Sequence, residues 1–145
     1  MQLIGFSPIA PDVISAIVSA AYSFGSAGNV TVSTGRLTAI KGGYVLSTTS
    51  GKNSTSGNGG DVVVNGTDFV KLIGVSPTFA PSLLGTTTFG AGKAGNLAVN
   101  TQNLVIQNGG RIDSATVATG DAGNVTVNAS NSIEVSQGKR ILIIY

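Results

Sequence analysis

Ala122-Gly123-Asn124-Val125-Thr126-Val127 is the stretch on which the reading of this chain turns. The same pattern, small-Gly-Asn/Asp-apolar-x-Val, stands at Ala94-Gly95-Asn96-Leu97-Ala98-Val99, Gly59-Gly60-Asp61-Val62-Val63-Val64 and Ala27-Gly28-Asn29-Val30-Thr31-Val32. Successive copies begin 32, 35 and 28 residues apart. A tight motif at loose spacing is what stacked coils joined by variable loops produce.

Each copy is followed by a second alternating run, Leu37-Thr38-Ala39, Val70-Lys71-Leu72, Leu104-Val105-Ile106 and Ile133-Glu134-Val135. A third run begins at Val45, Leu84 and Ile112. Period-2 alternation broken by Gly, Asn and Ser predicts three short strands per repeat. A longer period lies over this one. Gly28 to Thr49 matches Gly95 to Thr116 without a gap, and Gln2-Leu3-Ile4-Gly5-Phe6-Ser7-Pro8 matches Lys71-Leu72-Ile73-Gly74-Val75-Ser76-Pro77. Odd and even coils therefore differ, the even ones carrying a Ser-Pro insertion between their second and third strands.

One coil cannot bury its single row of apolar side chains, so coils must stack. The expected fold is all-β, a right-handed parallel β-helix of about four coils with three short strands each. Residues 1–137 form the repeat region, with a partial first coil over 1–26 and coils from about 27, 59, 94 and 122; residues 138–145 form a non-repeat tail. Stacking places Val30, Val62, Leu97 and Val125 in one interior column and Val32, Val64, Val99 and Val127 in another. Leu37, Val70, Leu104 and Ile133 line a second wall. A third wall holds Val45, Leu84 and Ile112 with Ser47, Thr86 and Ser114 beside them, where hydroxyls are positioned to bond from coil to coil. Gly28, Asn29, Gly60, Asp61, Gly95, Asn96, Gly123 and Asn124 form a structural corner ladder. The glycines are expected to supply positive φ, and the Asn/Asp side chains to bond their equivalents above and below.

Composition agrees. The chain has 21 Gly, 10% charged residues and 41% hydrophobic residues in 145, a poor recipe for helices and a good one for strands and turns. Of its eight basic residues only Lys139 and Arg140 are adjacent, and the net charge is +2, so no run of basic residues exists to neutralise a run of phosphates, and nucleic acid is not an expected partner. The absence of Cys and His removes disulfides, thiol nucleophiles, imidazole bases and most zinc sites; calcium, which needs only oxygens, stays open.

Gly92-Lys93 fails as a phosphate loop because position 87 is Thr and Ala94 stands where Ser or Thr must bind magnesium. Gly57 to Val64 has a faint likeness to a calcium-binding nonapeptide, but without tandem copies. Asn-x-Ser/Thr triplets at Asn29, Asn53, Asn65, Asn124 and Asn128 follow from composition. The six acids are scattered, with Asp61 and Asp121 at corners, Asp113 and Glu134 single and outward, and Asp68 near Lys71 on a surface. Polysaccharide cleavage needs clustered carboxylates, so an enzyme is the rival reading and not the first one. No catalytic, cofactor-binding or metal residue is assigned.

The segments AGNVTVSTGRLTAIKGG, SGNGGDVVVNGTDFVKLIGVSP, FGAGKAGNLAVNTQNLVIQNGGRIDSAT and TGDAGNVTVNASNSIEV cover most of residues 24 to 135. In them the chain resembles the repeat region of filamentous-haemagglutinin-like exoproteins, the passengers of two-partner secretion, in the version found in cyanobacteria. The resemblance implies a β-helical stalk, secreted or displayed at the cell surface, whose intact parent needs an outer-membrane transporter. It implies roles in adhesion, aggregation or toxin delivery. Partners of such a chain are surface glycans, surface proteins, or another copy of itself meeting the open β-helix ends.

Two features depart from that family. Members of the family begin with a signal peptide and a secretion domain, whereas this sequence begins in mid-repeat, at the equivalent of Lys71; the apolar stretch from Val13 to Ala21 has no preceding Lys or Arg and follows Pro8, Pro11 and Asp12, so it reads as the third strand of the partial first coil and not as a signal peptide. Gly138-Lys139-Arg140-Ile141-Leu142-Ile143-Ile144-Tyr145 leaves the pattern where a Ser-Pro loop is due. These features give the expectation of a fragment, with a gene remnant lacking autonomous function as the alternative.

Overall fold

The computed structural model describes residues 1–7, 9, 14–51 and 56–137. Val13, Asn53 and the tail 138–145 lie outside the described residues. Nine strands follow one another with no helix among the described residues: β1 (Gln2–Ile4), β2 (Ala16–Ala21), β3 (Val30–Ile40), β4 (Tyr44–Thr49), β5 (Val62–Ile73), β6 (Leu83–Thr88), β7 (Leu97–Gln107), β8 (Arg111–Thr116) and β9 (Val125–Ser136). They form two sheets, β1-β3-β5-β7-β9 and β2-β4-β6-β8. Every neighbouring pair is parallel. The chain is a parallel β-solenoid of about four turns.

The first two runs of each coil are not separate strands. They are joined in one strand, 11 residues long in β3 and β7 and 12 in β5 and β9, bent where the register shifts. Thr34 faces Gly66 and Arg36 faces Phe69, so β5 carries one residue more than β3 at the bend. The count reverses between β5 and β7 and again between β7 and β9, where Thr101 faces Ala129 and Asn103 faces Ser132. A bulge turns the wall while backbone pairing resumes beyond it, so the Ser, Gly and Asn residues that look like strand breaks lie within the ladder. The two-coil alternation is thus built into the bend as well as the loops.

The loops alternate in the same way. Odd coils turn from long to short strand through Lys41-Gly42 and Asn108-Gly109, with φ of 53° and 90°, and 54° and 93°. The even coil uses the Ser-Pro loop, entered through Gly74 (φ 79°) and folded back by an antiparallel bridge between Val75 and Pro81. Ser82 ties this loop to the coil below: its hydroxyl donates to Ile73 O at 2.9 Å and accepts from Gly42 N–H at 3.1 Å. The stretch at the end of the first apolar segment does pair as a third strand, Ala16 on Tyr44 through Ala21 on Thr49.

The interior columns fall in the expected register: Val30, Val62, Leu97 and Val125; Val32, Val64, Val99 and Val127; Leu37, Val70, Leu104 and Ile133; Val45, Leu84 and Ile112. A further column, Leu3, Ala39, Leu72, Ile106 and Val135, completes the second wall. Leu37, Val62, Val64, Val70, Leu72, Leu84 and Val99 are fully buried in one cluster. Each such side chain contributes on the order of 1.5–3 kcal/mol, so these columns hold the stack together. Burial fades toward the last coil, where Val125, Ile133 and Val135 are 45%, 56% and 69% exposed.

Candidate functional site

The polar side chains that repeat from coil to coil are the features most open to a functional reading, and the corner is where they are densest. Asp61 N–H donates to Asn29 Oδ1 at 2.8 Å, Asn96 N–H to Asp61 Oδ1 at 2.7 Å, and Asn124 N–H to Asn96 Oδ1 at 3.0 Å. The ladder therefore runs mainly from side chain to the backbone of the next coil. Only Asn96 Nδ2 reaches a side chain there, Asp61 Oδ1 at 3.3 Å.

The corner glycines do a different job from the one expected of them. Positive φ occurs at Gly42, Gly74 and Gly109, and not at Gly28, Gly60, Gly95 or Gly123. A Cβ on Gly60 would lie 2.2 Å from Gly28 O, on Gly95 2.1 Å from Gly60 O, and on Gly123 2.1 Å from Gly95 O. Close stacking of one corner on the next, and not backbone conformation, requires glycine here.

That contact also explains the polar interior of the third wall. Ser19, Ser47, Thr86 and Ser114 share one inward column. Ser47 donates to Gly28 O at 3.1 Å and accepts from Gly60 N–H at 3.0 Å, bridging two coils. Ser114 repeats the bridge from Gly95 O to Gly123 N–H, at 2.9 and 2.8 Å. Thr86 donates to Gly95 O at 2.7 Å and lies 2.9 Å from Ser114 Oγ. Each glycine corner turns backbone groups inward, and the hydroxyl column satisfies them where water is excluded.

Two further ladders escaped the sequence reading. On the outer face of the long strands, Asn65 Nδ2 reaches Ser33 Oγ at 3.4 Å, Asn100 Nδ2 donates to Asn65 Oδ1 at 2.9 Å, and Asn128 Nδ2 to Asn100 Oδ1 at 2.8 Å. At the bend, Asn103 Nδ2 donates to Asp68 O at 3.1 Å, and Asn131 Nδ2 to Asn103 Oδ1 at 2.7 Å. The signal was available, because Asn65, Asn100 and Asn128 each stand four residues after a corner Asn or Asp.

The acids are engaged one at a time. Asp68 binds Arg36 Nε at 2.7 Å, not Lys71, whose Nζ sits 4.4 Å from the centre of the Phe69 ring. Asp121 lies 3.3 Å from Lys93 Nζ, Asp113 pairs with Arg111, and Glu134 accepts from Gln107 Nε2 at 2.6 Å. Among the described residues no three of His, Cys, Asp and Glu gather where they could hold a metal ion. No described helix is long and apolar enough to cross a membrane. Comparison with family models, curated proteins and solved structures finds no match to the chain.

Proposed function

We propose that this chain is a non-enzymatic structural and adhesive segment of a secreted surface exoprotein of the filamentous-haemagglutinin-like type. The observation that carries the reading is the direction of the polar ladders. The corner Asn/Asp, outer Asn and inner hydroxyl columns all run along the stack and bond coil to coil. Such bonds are worth about 1 kcal/mol each when made, and leaving a buried partner unmade costs more, so they penalise any slip in register. The design suits a stalk that lengthens by adding coils and presents its outer faces to surface glycans or proteins. The single engagement of each described acid also supports this reading over polysaccharide cleavage, which requires carboxylates acting as a pair.

The test is display. Appended to a two-partner secretion domain and expressed with its outer-membrane transporter, the segment should become accessible to external protease and increase cell adhesion to glycan- or protein-coated surfaces. Retention inside the outer membrane, unchanged adhesion, or turnover of an acidic polysaccharide abolished by an Asp substitution would each overturn the proposal.

A further inference from the structure

The sequence contains three Asn-Gly pairs, Asn58-Gly59, Asn65-Gly66 and Asn108-Gly109. With no Cβ on the second residue, its backbone nitrogen is the least shielded of any for attack on the preceding side-chain amide. The fold treats the three pairs differently.

Asn58 Oδ1 accepts from Lys93 N–H at 3.0 Å, and Gly59 N–H donates to Lys93 O at 2.8 Å, so both reacting groups are tied to the coil above. Asn65 is held on both sides by the outer ladder, and Gly66 is buried in β5 opposite Thr101. Asn108 and Gly109 are exposed in the three-residue connection, 108–110, between β7 and β8. Among the described residues neither the Asn108 side chain nor the Gly109 N–H has a hydrogen-bond partner. Among the described residues the turn is held by Gly110 N–H and Gly74 N–H to Gln107 O, each at 3.0 Å, and by Asn108 N–H to Ser136 O at 3.2 Å, none of which engages the two groups that would react. Few bonds resist local opening of such a turn.

We propose that Asn108 is a self-modification site, converted by spontaneous deamidation to an aspartyl or isoaspartyl residue. When the turn opens, the Gly109 nitrogen gives its proton to solvent base and bonds to Cγ of Asn108. The Cγ–Nδ2 bond breaks and the amide nitrogen takes up a proton and leaves as ammonia. Water then opens the resulting five-membered imide at either carbonyl, and nothing is oxidised or reduced. The isoaspartyl product lengthens the backbone inside the turn that sets β8 over β6, and either product adds a negative charge there. The matching turn two coils below carries Lys41 before Gly42 and is immune.

The test incubates the full 145-residue chain in mildly alkaline buffer and follows amide-to-acid conversion at each Asn-Gly pair by peptide mapping, in the folded state and in urea. Because Asn58 and Asn65 must first lose ladder bonds, folded protein should convert Asn108 about tenfold faster than either. In urea the three rates should converge. Conversion of Asn58 or Asn65 first in folded protein overturns the proposal. So do equal rates in folded protein, or no conversion at Asn108 over a period in which the unfolded chain reacts fully.

Discussion

Gly95→Ala puts one methyl group where two coils touch. Its Cβ would lie 2.1 Å from Gly60 O and 2.4 Å from Gly60 C, against a floor near 3.0 Å for real contacts, so the corners must part by nearly an ångström. Neither obstructing atom is a flexible side chain. Four bonds span the two corners: Asn96 N–H and Nδ2 to Asp61 Oδ1 at 2.7 and 3.3 Å, Val62 N–H to Asn96 O at 2.9 Å, and Thr86 Oγ1 to Gly95 O at 2.7 Å. At about 1 kcal/mol each, their loss costs roughly 4 kcal/mol. That is a large share of the about 5–15 kcal/mol that holds a typical domain folded. Gly35→Ala is the control, because Gly35 lacks positive φ and its nearest obstacle is Thr67 Oγ1 at 3.9 Å. Reduced chain entropy should leave that variant unchanged or more stable by about 0.5 kcal/mol. Urea titration followed by circular dichroism should show a midpoint lowered by about 2 M for Gly95→Ala at a slope near 2 kcal/mol per M. Equal midpoints for the two variants would refute the close-stacking account of the corner.

Leu84→Ala, at a fully buried position in the third wall, should cost about 2–5 kcal/mol in the same titration, while Val125→Ala on the exposed last strand should cost under about 1 kcal/mol. Thr86→Val removes the hydroxyl that donates to Gly95 O and should cost about 1–2 kcal/mol despite its similar size. Arg36→Ala breaks an ion pair with side chains 69% and 43% exposed, so it should change stability by under about 1 kcal/mol, and less at high salt. β9 leaves Ile133 and Val135 open, so the isolated chain should associate; sedimentation velocity should show mass rising with concentration, and a monodisperse monomer would contradict this.

The interior columns were legible because alternation fixes which side chains share a face, and equivalent residues in successive coils then share a column. Val64 over Val32 and Leu84 over Val45 follow from the pattern alone. The bend was not legible. Ser33, Gly35 and Gly66 look like strand breakers, and only the register shows that pairing resumes across them. The glycine corners were found for the wrong reason, since turn chemistry and close stacking both select glycine and sequence does not separate them. The inner hydroxyls were placed correctly, and Thr86 bonds Ser114 from coil to coil as expected, but their other partners are backbone groups of Gly28, Gly60, Gly95 and Gly123, which no side-chain pattern reveals.

The most direct test of the fold is the cross-strand proton contacts in solution, read by NMR on isotope-labelled chain. Parallel in-register stacking predicts contacts between Val63 and Ala98 and between Thr87 and Ala115. Contacts joining consecutive runs in antiparallel hairpins, such as Val64 to Leu72, in place of these would contradict the solenoid.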